Sequence, residues 1–329
     1  MTDLDPATAA AADFYDQHYA CCKPLFLEPG MRCTLGSPDR PKHCRFCGLS
    51  EPEVQFKTDA HALPAAFGRI GLFSNYECDA CNSYFGKGIE NDLGNWTKPM
   101  RTLMRIKGRS GVPTIKEPGG GKGWRVEYST GAFQLSEYEG DPHFTIDEQA
   151  KQLRFELHRD PYIPVAALKG LVKIGLTLLP EVELAHFSET FDWIRNPDHS
   201  QSFVAEFPII RTFISGPMPN DKVTLMLLRR RSGVTTVPYA FYVIGLGNEV
   251  LQVFIPSLSQ DQCINGQPLS LVPFPTPGSF DAKAYGRPRV NTIDLTGRET
   301  VRGEKVPATF GFDGIVQPEA DSNAGGAGQ

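Results

Sequence analysis

No stretch of this chain is long and apolar enough to span a bilayer. The most apolar run, Tyr162 to Pro180, is interrupted by Lys169 and Lys173, and a span needs about 20 predominantly apolar residues. A secretion leader is not expected either. The start, MTDLDPATAAAADFYDQ, is acidic and has neither a basic opening nor a continuous apolar core. Positive charge is not in excess: 33 Lys and Arg stand against 38 Asp and Glu, a net charge of −5. That excludes a general nucleic-acid coat and makes any basic surface local. No internal repeat is visible, which sets aside a repeat architecture. Without a leader, the cysteines are expected to stay reduced in the cytoplasm. Paired cysteines then read as metal ligands rather than disulfides.

What is present suits an ordinary globular protein. The length of 329 residues accommodates about two domains, with 40% apolar and 22% charged residues. Such a chain buries a sizeable core without disulfides. Residues 1–41 read as an N-terminal extension: an Ala-rich start that is either a short helix or loose, then a loop-like stretch with Pro24, Pro29, Gly30, Gly36, Pro38 and Pro41. A module is expected over 42–117, ended by Pro118–Gly123, where three consecutive glycines resist regular structure. In the region 124–316, the segments WRVEYS, AFQLSEY, HFTID and KQLRFELH alternate with the period of strands. Pro164 to Leu179 has a helical apolar face (Val165, Leu168, Leu171, Val172, Leu176, Leu179), and Glu181 to Trp193 suggests a second helix. Further strands are expected at 203–214, 223–230, 238–245 and 249–256. The fold class is therefore α+β, a mostly antiparallel sheet with two helices against it. The tail 317–329 lacks the apolar content to order itself.

The informative stretch runs from Cys44 to Asn91 and reads CRFCG, then TDAHALP, then CDACN. Cys44, Cys47, Cys78 and Cys81 form two Cys-x-x-Cys pairs. Each such turn presents two thiolates at once, and the interval between them closes a loop, which suits a tetrahedral zinc site. In so small a segment the metal supplies folding free energy that the core cannot. Cys21, Cys22 and Cys33 have no usual zinc spacing and read as structural or incidental; His43, beside Cys44, is not needed by a complete set of four. A closed four-thiolate site has no open position and says nothing of catalysis. A plain zinc ribbon fits it equally well.

The residues between and after the knuckles decide. Val54 to Lys57 is a short strand candidate leading to His61, Leu63-Pro64 ends it, and Gly68 and Gly71 mark a turn. From Asp79, the residues Cys81, Phe85, Ile89 and Leu93 recur every four positions on one helical face. Gly86 and Gly88 weaken that helix. Taken in order, C-x2-C, A-H-x-x-P, C-x2-C-N and G-x-x-I-E resemble the zinc-knuckle branch of the HNH endonucleases. The likeness covers about residues 44–113 and is carried by CRFCG, QFKTDAHALPAAFG, ECDACNSYFGKGIENDL and RTLMRIKGRSGVP. It implies a ββα-metal finger, in line with the strand, turn and helix order. It also implies phosphodiester hydrolysis with one divalent cation distinct from the zinc, Mg²⁺ or Mn²⁺, bound by oxygen donors. In that scheme His61 is the general base, its ordinary pKa of about 6.5 suiting removal of a proton from water. Asn82 is a ligand of the catalytic cation. Outside such a family, His61 would be an ordinary loop histidine and Asn82 a local helix cap.

Two places depart from the family pattern. Many HNH proteins carry Asp or Glu directly before the base histidine, where this chain has Ala60. Asp59 lies one residue earlier and serves as a metal ligand only if the strand end is rearranged. The asparagine that orients the histidine is expected near residues 71–73, which read Gly71-Leu72-Phe73, leaving Asn75 or a backbone carbonyl for that task. Beyond the helix comes a basic run, Lys98, Arg101, Arg105, Lys107 and Arg109. The i,i+4 spacing of Arg101, Arg105 and Arg109 puts them on one side of a helical start, and with Lys107 they are expected to contact phosphates. Arg229-Arg230-Arg231 reads as a strand end and turn. The expected function is a metal-dependent endonuclease acting on nucleic acid, DNA above all. By analogy it serves bacterial defence, and cutting both strands would favour a homodimer. The competing expectation, favoured by Ala60, is a non-catalytic zinc-binding module that holds nucleic acid or a protein partner.

Overall fold

A computed structural model describes residues 5–315 apart from 65–66, 69, 118–122, 138–141, 202, 204–207, 265 and 268–271. The Pro118–Gly123 boundary (Gly123 excepted) and the tail expected over 317–329 lie outside the described residues, as does part of the strand expected over 203–214. The chain opens with α1 (Pro6–His18), β1 (Tyr19–Leu27), β2 (Arg32–Leu35), β3 (Ala60–His61) and β4 (Gly71–Ser74). Two helices follow end to end, α2 (Asp79–Lys87) and α3 (Ile89–Leu103). Next come β5 (Ile115–Lys116), β6 (Arg125–Ser129), β7 (Ala132–Ser136), β8 (Thr145–Asp147) and β9 (Gln152–His158). The helices α4 (Pro164–Leu178) and α5 (Ser188–Arg195) precede β10 (Ile209–Phe213), β11 (Val223–Arg230), β12 (Ala240–Leu246) and β13 (Glu249–Ile255). Last are β14 (Arg289–Ile293) and β15 (Lys305–Gly311).

The largest sheet has the order β1-β11-β12-β13-β10-β14, and all its pairings are antiparallel. This is the α+β architecture the alternating segments call for. Its edge is less expected: residues 19–27, which read as loop, form β1 and pair with β11. An edge strand tolerates Pro24, because a missing N–H there breaks no ladder between two partners. The three smaller sheets are β2-β4-β3, β5-β6-β7 and β15-β9-β8. In the first, β3 runs antiparallel to β4 while β2 runs parallel to it. No helix among the described residues is long and apolar enough to cross a membrane.

The helix expected from Asp79 onward breaks once. At Gly88 the backbone leaves helical geometry (φ −104°, ψ −110°), and the chain restarts as α3. Glycine is a weak helix former, so the break falls where propensity is lowest. Its consequence is positional: α3 turns to pack along α4.

Every residue of α4 is buried, the two lysines included. A helix apolar nearly all round belongs inside a protein, and two glycines show how this one fits. A Cβ on Gly170 would stand 2.9 Å from the carbonyl oxygen of Ile89 and 3.1 Å from Leu93, both on α3. One on Gly175 would stand 2.6 Å from Ile255 and 3.1 Å from Tyr242, in the large sheet. The helix is thus sandwiched between the 44–103 region and the sheet. One continuous core includes Phe46, Phe85 and Leu93 from the first region with Leu171, Val172, Tyr242 and Ile255 from the second.

Candidate active site

The first knuckle is closed by backbone bonds: Cys44 N–H donates to the Leu49 carbonyl (2.9 Å) and Gly48 N–H to the Cys44 carbonyl (2.8 Å). Gly48 turns the chain at φ +74°, a conformation that favours glycine. The second knuckle is a helix start. Cys78 is the N-cap of α2, and its Sγ accepts from Cys81 N–H at 3.5 Å. All four Sγ atoms lie within 4.8 Å of one another, with Cys47 and Cys78 3.9 Å apart. Four sulfurs bound tetrahedrally at about 2.3 Å would be about 3.8 Å apart, so the donors fit a tetrahedral metal ion. The protonation of the cluster points the same way. A hydrogen bond from Cys81, with backbone N–H donors, pulls the Cys44 thiol down to about 4. That same bond pushes Cys81 up, and burial pushes Cys78 up to about 11. One negative sulfur suppresses the others, and four thiolates together require a cation.

The knuckles also grip the rest of the protein. Between Cys44 and Cys47, Arg45 lies over the Tyr76 ring, 3.5 Å from its centroid. Its Nη1 donates to the carbonyls of Leu176, Thr177 and Leu179 at 2.9, 3.1 and 3.1 Å, capping the C-terminal end of α4. A cation there complements the exposed carbonyls of a helix end. Asp79, inside the second knuckle, accepts from Thr58 N–H (3.0 Å), Thr58 Oγ1 (2.6 Å) and Lys57 N–H (3.1 Å). The cysteine turn is thereby tied to the chain that leads into β3.

His61 ends β3 opposite Phe73, its ring 4.8 Å from the Phe73 ring. Ala62 N–H bonds the Leu72 carbonyl at 3.0 Å and holds the hairpin just past it. The imidazole is half-buried and makes no hydrogen bond among the described residues. Burial lowers its pKa; Arg109 and Arg32 add to that, while Asp59 and Glu90 oppose it. The ring is consequently neutral and able to accept a proton at neutral pH. The β3-β4 hairpin and α2, which packs on β3, together form a ββα unit. Asn82 lies in the first turns of α2, its N–H on the Cys78 carbonyl (2.9 Å). Its half-buried side-chain amide takes no partner among the described residues, leaving its oxygen open for a cation.

Other expected site residues are placed elsewhere. Asp59 is exposed and makes a two-oxygen ion pair with Arg32, 2.9 Å to each oxygen. Asn75 lies just beyond β4; its Oδ1 accepts from Lys42 Nζ at 2.8 Å and its Nδ2 reaches the Gly36 carbonyl at 3.5 Å, with no bond to His61. The basic run does not share a helical side, because α3 stops at Leu103 and Arg105 takes φ +57°. Arg101 is buried, donating to Thr97 Oγ1 (3.3 Å) and the Gly94 carbonyl (2.8 Å) of its own helix. Arg105, Lys107 and Arg109 are exposed. Two further cations, Arg32 and Lys42, line an open cleft of about 380 Å³ together with the carboxylates Asp59 and Glu77 and with Phe56 and Phe73.

One feature had no signal in the pattern of the sequence. Lys173 of α4 is fully buried and bonds Glu77 Oε2 at 2.8 Å and Glu90 Oε1 at 2.6 Å. Burial opposes its charge, but the two carboxylates outweigh that and keep it an ammonium. In the sequence Lys173 only interrupts an apolar run, and no spacing links it to residues about ninety positions earlier.

Residues 44–97, spanning both knuckles, His61 and Asn82 and ending in α3, match the family described as HNH endonuclease. No curated protein and no solved structure matches the chain.

Proposed function

We propose that this protein is a metal-dependent endonuclease that hydrolyses phosphodiester bonds of DNA, with its chemistry at the segment that matches the HNH endonucleases. The observation that carries the reading is His61: a neutral, half-buried imidazole without a hydrogen bond among the described residues, on a β-hairpin packed against α2. Its free ring nitrogen takes a proton from water as the water attacks phosphorus. Asn82 offers an amide oxygen to a Mg²⁺ or Mn²⁺ ion. When bound, that ion supplies polarisation of the scissile phosphate and charge stabilisation of the leaving 3′-oxygen. The cysteine cluster holds a separate structural zinc that fixes α2 relative to β3. Arg109 and Arg32, whose charges act on the imidazole, and Lys42, which shares a cleft with Arg32, attract the sugar–phosphate backbone; the exposed Arg105 and Lys107 extend that surface. Arg101, buried against its own helix, is left out. By analogy with other HNH nucleases we assign the activity to defence against foreign DNA in the cytoplasm, where thiolates stay reduced. A homodimer would let one site per chain cut both strands.

Purified protein is expected to nick or cut plasmid with Mg²⁺ or Mn²⁺, and EDTA to stop it. His61→Ala should lower the rate by about 10²–10⁴-fold, the usual worth of a general base, with zinc content and fold unchanged. Equal inactivity of wild type and His61→Ala across metals and forms of DNA or RNA would defeat the enzyme reading. It would favour instead a non-catalytic zinc module that binds nucleic acid or a protein, the reading supported by Ala60 at the usual acid position.

A further inference from the structure

Ala60 leaves the segment one carboxylate short, and the fold brings another carboxylate, Glu90 at the start of α3, against α2. Glu77 and Glu90 each commit one oxygen to Lys173. The second oxygen of Glu77 is buried with no hydrogen-bond partner among the described residues. The second oxygen of Glu90, Oε2, accepts no hydrogen bond from them either. The Glu77 side chain is wholly shielded from water (0% exposed), whereas that of Glu90 keeps some exposure (15%).

The direction of Glu90 is given by a glycine. Its Oε2 lies 4.0 Å from where a Cβ would stand on Gly86. Gly86 is one helical turn beyond Asn82, so the two share a face of α2, and the missing side chain keeps that face open between Asn82 and Glu90. The same helix packs on β3, which carries His61. The Glu90 charge is also near enough to act on the imidazole.

We propose that Glu90 Oε2 is the carboxylate ligand of the divalent cation beside Asn82, and that Lys173 of α4 holds Glu90 in place through Oε1. The inference rests on the nuclease reading of this segment. An amide oxygen and a carboxylate oxygen are the donors Mg²⁺ and Mn²⁺ prefer. A ligating carboxylate is ordinarily held by a hydrogen bond from a surrounding residue, and Lys173 supplies it. Lys173 is then a positioning residue, and the half of the chain outside the family match contributes to the centre.

The probe is Mn²⁺, titrated into the zinc-loaded full chain and followed by its EPR signal. Wild type is expected to bind one Mn²⁺. Glu90→Gln, which keeps the shape of the side chain, should weaken that binding about 10–100-fold with zinc content unchanged. A purely structural ion bridge would instead lower the melting temperature and leave Mn²⁺ affinity alone, and that result overturns the proposal. A second measurement uses wild type only, so that a poorly folded variant does not decide the matter. Fe²⁺ with ascorbate and peroxide should cleave the zinc-loaded chain beside residues 82 and 90, and cuts that miss Glu90 refute the ligand assignment. The two readings fail separately. A wild type that cuts DNA while Glu90→Gln keeps its Mn²⁺ affinity sinks the Glu90 ligand alone. A wild type that binds Mn²⁺ through Glu90 yet cuts no nucleic acid upholds the site and sinks the nuclease.

Discussion

A free histidine is half protonated at a pH of about 6.5, and His61 is pushed below that by burial first and the Arg109 charge second. The sign of the pH dependence follows. In the proposed role the base works as neutral imidazole, so the rate should fall as pH drops through its pKa, and the acid limb of the profile should lie below the ordinary histidine value. Removing Arg109 removes a charge that disfavours imidazolium. Arg109→Gln should therefore move the acid limb to higher pH, whatever it does to the plateau through the proposed phosphate contact. A limb that stays in place, in rate profiles of wild type and variant, would show that the titrating group is not His61. Asp79 works on the same histidine by mechanics. It ties Lys57 and Thr58, just ahead of β3, to the second knuckle. Asp79→Ala is expected to lower kcat more than it lowers the melting temperature, with zinc content preserved. Metal analysis, melting curves and rates on one preparation would separate these effects.

Among the elements, α4 does most to position the site. Arg45 caps its C-terminal end, Lys173 bonds Glu77 and Glu90, and its glycines let it lie close to α3 on one side and the sheet on the other. Packing this tight leaves no room for added volume. Gly175→Val would press on Ile255 and Tyr242 and should cost about 1–3 kcal/mol, the usual penalty of overpacking. Urea unfolding measures it, and an unchanged midpoint would mean the contact is looser than described. The broken helix is the second lesson at this scale. An unbroken helix from Asp79 would have carried α3 straight on; the break at Gly88 lets it run along α4 and sets Glu90, two residues later, beside Lys173.

At the scale of the whole molecule, the 42–117 stretch and the half that follows share one core. Two outcomes are expected. Stripping zinc with a strong chelator should remove cooperative unfolding from the entire protein rather than from one segment, because the cysteine cluster sits within that core. Near-UV circular dichroism with zinc analysis checks this. The 42–117 segment made alone should fail to fold even with zinc, since it would expose the faces of Phe46, Phe85 and Leu93 that the rest of the chain covers; a cooperative melt of that piece would contradict the shared core. The sequence by itself determined what is local. The paired cysteines with their turn glycine, the histidine before Leu-Pro, the asparagine after the second knuckle and the period-two strands are each set by a few neighbouring residues, and a short motif can reveal them. It also announced α4, because fifteen residues apolar on nearly every side have nowhere to go but the interior. Which charges meet was decided only in three dimensions. Arg101 reads like its basic neighbours but turns inward, and Asp59 spends its charge on Arg32. Lys173, an interruption in an apolar run, becomes the partner of two carboxylates flanking the second knuckle. Long-range pairing of this kind depends on how helices cross and where a chain bends, and no spacing along the sequence encodes it.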